Sequence, residues 1–189
     1  MFPEILRDAR LYLALLQLDR ALAAEAEQAG CRCGGALHSA RYPRKPRGVP
    51  ADLLPPDYDR RLSFCCARDG CRRRTTPPSV RFLGRRVYLG AVVVLVSAAT
   101  QRVTRWRAAQ LRAWIGVSRR TLERWRTWWR TEFPASRLWR AERGRFVPPV
   151  AERGLPNSLL ERFTGAGLGE RLVALLRFLA PLTTATGPG

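Results

Sequence analysis

The sequence predicts an α+β fold, mostly α, and three observations carry that prediction. Apolar residues recur at helical spacing along 3–28, 119–133 and 170–180, as a buried helix stripe requires. Two cysteine groups, Cys31/Cys33 and Cys65/Cys66/Cys71, bracket short stretches of strand character. Prolines and glycines then punctuate the chain. The expected division is an N-terminal amphipathic helix (1–29), a small cysteine-bearing β domain (30–86), a helical domain (87–140), and a linker and C-terminal helix with a disordered end (141–189).

Charge narrows the function. The 189 residues carry 34 Lys+Arg against 15 Asp+Glu, a net +19, with a pI near 11.5. Such self-repulsion suits a polyanionic partner, and nucleic acid is the first candidate. Lys45 is the only lysine, a bias that GC-rich coding would produce, but coding bias does not remove acidic residues. The apolar run Leu11–Leu18 is flanked by charges and resembles no export signal. Val87–Ala99 falls well short of the about 20 residues of a spanning helix. No membrane partner is expected, and the anticipated setting is the cytoplasm, at the nucleoid.

Taken in order, Pro3–Gln28 reads as a helix with Ile5, Leu6, Ala9, Tyr12, Leu13 and Leu16 on one face, broadened by Leu11, Leu15, Leu18 and Leu22. Pro3 suits a first turn and Gly30 a stop. The face needs a cover, from this chain or a second protein. Next come Cys31-x-Cys33-Gly-Gly and His38, then Phe64-Cys65-Cys66 and Cys71. Two turns presenting thiolates to one tetrahedral ion make a zinc ribbon. The preferred ligands are Cys31, Cys33, Cys66 and Cys71, with His38 or Cys65 as alternates. Alternation favours Cys66, because Leu62 and Phe64 facing inward carry it to the same side. One structural zinc is expected; buried thiols without metal are the alternative, and a disulfide does not suit a reducing compartment.

Between the cysteine groups, Arg41, Arg44, Lys45 and Arg47 lie in a proline-held extended run that can follow a phosphate backbone, with Tyr42 free to stack on a base. A plain solvated loop is the other reading. Residues 51–59 look like an acidic connector. Arg72, Arg73 and Arg74 lead into Pro77, Pro78, Val80, Phe82 and Leu83, a last strand and rigid link ending at Arg85 and Arg86. Val87–Ala99 is apolar on every side and reads as a central buried helix despite its β-branched valines, with a buried strand as the alternative. Arg102–Arg107 breaks the pattern.

Residues 108–130 form the most informative stretch. Gly116 hinges two short helices, Ser118 caps the second so that it starts at Arg119, and Val117 can staple onto Leu122. Leu122, Trp125, Trp129 and Phe133 share a buried stripe; Arg120, Glu123, Arg124, Thr127 and Thr131 lie opposite. An aromatic back and an arginine-bearing front after a tight turn is helix-turn-helix geometry, against the plainer reading of a helical hairpin with a solvated basic face. Arg120 and Arg124 are the base-reading candidates, beside Glu123 and Thr127, while Arg119, Arg126 and Arg130 grip phosphates. Glu123 either reads a cytosine or holds Arg120 or Arg124. Pro134 then ends or kinks the helix, Arg137–Arg145 is a basic stretch, and Pro148 and Pro149 mark a linker. Leu155–Phe163 reads as a short helix, Glu170–Ala180 as an amphipathic one with Leu172, Leu175, Leu176 and Leu179 inward, and Pro181–Gly189 as disordered.

The order Cys31-x-Cys33-Gly-Gly, Tyr42-Pro-Arg, Phe64-x-Cys66, Cys71-Arg-Arg, Tyr88 and Gly116-Val-Ser-x-x-Thr121-Leu-x-x-Trp125 resembles small bacterial zinc-ribbon plus helix-turn-helix proteins of insertion sequences and other mobile elements. The likeness covers roughly residues 31–129, and the CxC and C-x4-C spacings depart from the usual CxxC pairs. It implies a double-stranded DNA-binding front of a transposase, or a separate accessory protein or regulator. A metal-dependent transposase needs clustered carboxylates, yet after Arg130 there are only Glu132, Glu142, Glu152, Glu161 and Glu170, and His38 is the single histidine. The expectation is therefore a non-catalytic DNA-binding protein, with a recombinase partner engaged through the terminal helices and a homodimer as a further possibility. The alternatives are part of a divided transposase or nuclease, and a ribbon-type RNA-binding protein.

Overall fold

The computed structural model describes residues 2–83, 88–100, 109, 113 and 115–184. The link at Arg85 and Arg86, the break at Arg102–Arg107 and residues 185–189 lie outside them. Of the first hairpin helix only Ala109, Ala113 and Ile115 are described, and all three are helical.

The N-terminal segment is two helices rather than one, α1 (Phe2–Ile5) and α2 (Ala9–Gln28). Asp8 causes the break: its carboxylate accepts from the Arg10 backbone N–H and caps a new helix. The turn sends Leu6 into the core, where its carbonyl accepts from the Tyr12 hydroxyl at 2.6 Å. Leu13, expected inward, is 45% exposed, and Asp19 is buried on that face instead. At the other end Gly30 adopts φ +68°, the left-handed stop that glycine allows.

Two small antiparallel sheets follow. Strands β1 (Leu37–Ser39), β4 (Phe64–Cys66) and β5 (Arg74–Thr75) form one in the order β1-β4-β5. Strands β2 (Tyr42–Pro43) and β3 (Arg60–Arg61) form the other. Leu37 stands opposite Cys66, and the buried-intermediate-buried pattern of β4 puts Phe64 and Cys66 inward as alternation requires.

Helix α3 (Gly90–Thr100) is the hub of the larger core, with Ala91 to Val96 essentially inaccessible. Burial on all sides overrides the low helix propensity of its valines. It starts at Gly90 rather than Val87, because Tyr88 and Leu89 are held in bridges to Arg47 and Phe82. A methyl at Gly90 would lie 3.0 Å from Leu176 Cδ2 and 3.3 Å from the Val80 carbonyl oxygen, so the helix start packs closely on both.

Helix α4 (Arg119–Thr127) continues through a π-helical turn (Trp128–Glu132) into α5 (Phe133–Ala135). Of the two expectations at Pro134, a stop or a kink, the helix does not stop there but is distorted just before it. Pro134 has no N–H for the Arg130 carbonyl, and the widened turn, in which Phe133 N–H donates to the Trp128 carbonyl, accommodates it. The chain turns only at Ser136, which caps α6 (Arg137–Glu142) through Trp139 N–H. The stretch expected to be merely basic is thus a helix with Trp139 buried. Helix α7 (Asn157–Leu160) is shorter than anticipated, and α8 (Leu168–Leu179) buries Leu172, Leu175, Leu176 and Leu179 as its pattern demanded. Residues 180–183 form an ordered turn in which the buried Thr183 hydroxyl accepts from Ser79 N–H, so order extends further toward the C-terminus than expected.

Among the described residues the buried apolar side chains form two clusters. The larger joins α2, Tyr58, Val80–Leu83 and α3 to the C-terminal helices. The smaller contains Ala23, Cys31, Leu37, Leu62, Phe64 and Cys66. No helix among the described residues is long and apolar enough to cross a membrane.

Candidate metal centre and nucleic-acid interface

The smaller core is a cysteine centre. Directly after α2, a tight turn closes with Gly34 N–H donating to the Cys31 carbonyl at 2.7 Å and Gly34 at φ +78°. A second turn closes with Cys71 N–H donating to the Arg68 carbonyl, and the Arg68 guanidinium donates across to the Cys33 carbonyl at 2.8 Å. The turns bring the sulfur atoms of Cys31, Cys33, Cys66 and Cys71 within 4.8 Å of one another. Sulfurs of Cys31 and Cys71 are 3.8 Å apart, and those of Cys33 and Cys66 3.5 Å. A tetrahedral ion with about 2.3 Å metal–sulfur bonds sets its sulfurs about 3.8 Å apart. The donor set and spacing therefore fit a metal ion, and the unusual spacing in sequence is absorbed by the two glycine-containing turns. A methyl at Gly35 would lie 2.7 Å from the Cys66 sulfur, so the cradle has no room for a side chain there.

Thiol chemistry follows the same geometry. Cys33 is lowered to about 6, first by the Gly35 backbone N–H and then by thiols of Cys71, Cys31 and Cys66. In Cys66 the Arg68 backbone N–H lowers the value, but burial and the three neighbouring thiols outweigh it and raise the net. The two alternates stand apart: His38 and Cys65 are cross-strand partners one position out of register with the Leu37–Cys66 pair, hence on the opposite face, and the Cys65 thiol faces the Arg72 carbonyl at 3.5 Å.

Helix α4 has the features its sequence required. Gly116 adopts φ +64°, a conformation costly for any other residue there. The Ser118 hydroxyl accepts from Thr121 N–H at 3.2 Å. Trp125, Trp129 and Phe133 are buried and Leu122 half-buried, while Trp125 meets Tyr88 edge-on at 5.1 Å. Arg120, Glu123, Arg124 and Thr127 are exposed together. Glu123 binds neither Arg120 nor Arg124, as had been expected of a holding role; it accepts from Arg119 Nε at 2.9 Å. Arg124 donates weakly to Thr121 at 3.4 Å. Arg130 is exposed on the following turn and Arg126 half-buried.

The two basic segments meet through Arg74, whose guanidinium lies 5.9 Å over the Tyr42 ring. Tyr42 is thus partly covered by its own chain rather than open as a stacking platform. Arg41, Lys45, Arg47 and Arg73 are exposed, Arg72 pairs with Asp69 at 2.9 Å, and Arg44 lies 5.4 Å over Phe82.

Sequence reasoning missed a buried ionic node. Asp19 and Arg81 pair at 2.7 Å with both side chains 0% exposed, and Arg61 is buried nearby, donating to the Pro77 carbonyl. The signal available was a carboxylate on the apolar face of α2. The terminal helices bury their apolar stripes within this chain, and the glutamates after Arg130 do not gather: Glu142 binds Arg145, Glu152 the Trp139 indole, Glu161 Asn157 and Glu170 the Ala166 N–H. Comparison with protein-family models, curated proteins and solved structures finds no match to the chain.

Proposed function

We propose that this chain is a sequence-specific double-stranded DNA-binding protein that enters the major groove with α4 and is held together at its ribbon by one structural zinc ion. The observation that carries the reading is the two-sidedness of α4: an aromatic back locked into the core and a front on which Arg120, Glu123, Arg124 and Thr127 are exposed together. Arg120 and Arg124 would pair with guanine O6 and N7, each good pair discriminating by about 1–3 kcal/mol. Arg126 and Arg130 would hold phosphates, and Arg41, Lys45, Arg47, Arg73 and Arg74 would grip the backbone a second time. Four thiolates would close the coordination of the zinc and leave no position for a reactive water, so the metal would serve folding. With the carboxylates dispersed, the chain acts by binding, as an accessory factor or regulator of a mobile element at the nucleoid. A dimer would recognise half-sites about one helical turn apart.

The test is fluorescence anisotropy on a selected duplex, a random duplex and a matched RNA at one salt concentration. Arg120→Ala should reduce preference for the selected site, while Arg130→Ala should weaken both duplexes alike and lower the salt slope by about one. Equal losses on both duplexes from both substitutions refute the assignment of roles, and tighter binding to RNA refutes the duplex reading.

A further inference from the structure

The most exposed large apolar side chain among the described residues is Val147, at 88%, and Pro148 and Pro149 beside it are exposed as well. An isolated exposed valine needs no explanation. Three consecutive apolar residues at a tip braced on both legs do. On the incoming leg Phe146 stacks on Trp139 at 6.0 Å and meets Phe178 edge-on at 5.7 Å. On the outgoing leg the Pro149 carbonyl accepts from Arg162 at 3.0 Å, Val150 is buried, and the Ala151 carbonyl accepts from the Ser158 hydroxyl at 2.7 Å. The tip is held in place rather than left to collapse onto the surface.

Its surroundings are cationic. Arg140, Arg143, Arg145 and Arg153 are all exposed. The acids that Arg143 and Arg145 touch, Glu152 at 3.9 Å and Glu142, form surface pairs, which contribute little to holding the arginines where they are. The brace also reaches the π-helical turn that continues α4. Trp129 contacts Phe133 at 5.1 Å, Phe133 contacts Trp139 at 5.2 Å, and Trp139 carries Phe146. A ladder of rings thus joins the buried side of that turn to the base of the tip.

We infer that the Val147-Pro148-Pro149 tip is a wedge that enters the minor groove of the duplex held by α4, its flanking arginines on the adjacent phosphates. The inference rests on the DNA-binding reading above. Small apolar side chains driven between base steps unstack them and bend the duplex by about 20–90°, and a wedge already fixed in place loses little entropy on insertion. Charge complementarity selects a nucleic acid over an apolar protein surface.

The test uses the full-length zinc-loaded protein and a selected duplex carrying end-to-end fluorophores and a 2-aminopurine at each central step in turn. Wild type should shorten the end-to-end distance and brighten 2-aminopurine at one step, and distamycin, a minor-groove ligand, should compete. Val147→Ser should lose the brightening and most of the bend and bind about fivefold or more weakly, with unchanged thermal stability because the side chain is solvent-exposed. Val147→Leu, which keeps the wedge, should restore both signals. Wild-type binding without bending or brightening, or Val147→Ser indistinguishable from wild type, overturns the wedge while leaving DNA binding by α4 standing, and assigns the tip to a protein partner. Failure of wild type to bind any duplex overturns both.

Discussion

Replacing Asp19 with asparagine removes one charge from the deepest polar node of the molecule and changes almost nothing else in shape. The carboxylate accepts from the Ser79 hydroxyl at 2.6 Å, Val80 N–H at 2.7 Å and Arg81 Nε at 2.7 Å. Arg81 directs its other donors to the carbonyls of Tyr58 and Arg60, at 2.5 and 2.9 Å, and lies 5.0 Å over the Tyr58 ring. With no exposure on either side chain, the guanidinium left by Asp19→Asn has no water to turn to. An asparagine amide also presents N–H groups to donors. Breaking a buried pair from one side costs about 3–5 kcal/mol, a large share of the about 5–15 kcal/mol that holds a domain. At roughly 2–4 °C per kcal/mol for this size, the melting temperature should fall by about 6–20 °C. Urea unfolding followed at 222 nm measures the change directly, provided the slope is preserved. Asp19→Leu combined with Arg81→Met should recover much of the loss, because a well-packed apolar replacement costs no buried charge. A loss below about 1 kcal/mol for Asp19→Asn, or a double variant as unstable as the two singles added, would refute the idea that charge pairing holds this node.

Metal content gives a second prediction: protein purified without chelator should hold about one zinc per chain, retained in Cys65→Ser and lost in Cys66→Ser and Gly35→Ala, the last because its methyl would displace the Cys66 sulfur. A metal-free wild type with a folded ribbon would sink the centre. High pH gives the third. Burial raises the Tyr12 phenol well above the usual value; for Tyr58 burial raises it most, Arg81 opposes, and Tyr12 and Asp19 add to the rise. A group raised in the fold stabilises fully below its unfolded value of about 10 and loses that contribution as pH climbs past it. Tyr12→Phe should therefore leave unchanged the amplitude of the native absorbance titration at 295 nm below unfolding; a smaller amplitude would show Tyr12 ionising in the native state.

The features legible in the sequence were those whose chemistry is local. Ser118 caps the helix it precedes, Gly116 supplies the backbone angle the turn needs, and strand alternation from Phe64 places Cys66 among the other sulfurs. The choices left open at Glu123 and at the alternate ligands turned on side-chain direction. Reaching back one turn to Arg119 satisfies Glu123 without crossing the front, and strand parity sends His38 and Cys65 away from the centre. The ionic node was illegible for a different reason. Asp19 continues the buried face marked by Leu11, Tyr12, Leu15 and Leu16 only if a partner exists, and that partner is one arginine among many, far along the chain. Leu13 was misplaced because so leucine-rich a helix offers more apolar surface than the core accepts.

The π turn after α4 has a cause that the aromatic spacing contains. Trp125, Trp129 and Phe133 recur at strict intervals of four. At 3.6 residues per turn each such step overshoots a full revolution by about 40°, so the third ring would leave the seam set by the first. A turn closed by i→i+5 bonds takes up the excess, and it falls between Trp128 and Glu132, where Pro134 has already removed the bond that a regular helix would need. The result is that Trp129 and Phe133 face the same way at 5.1 Å and Phe133 reaches Trp139 at 5.2 Å. A regular helix would rotate Phe133 off Trp139 and detach the ring ladder from the Val147 tip. The same widened turn that accommodates a proline therefore fixes where the base of the Val147 tip stands relative to the exposed arginines of α4.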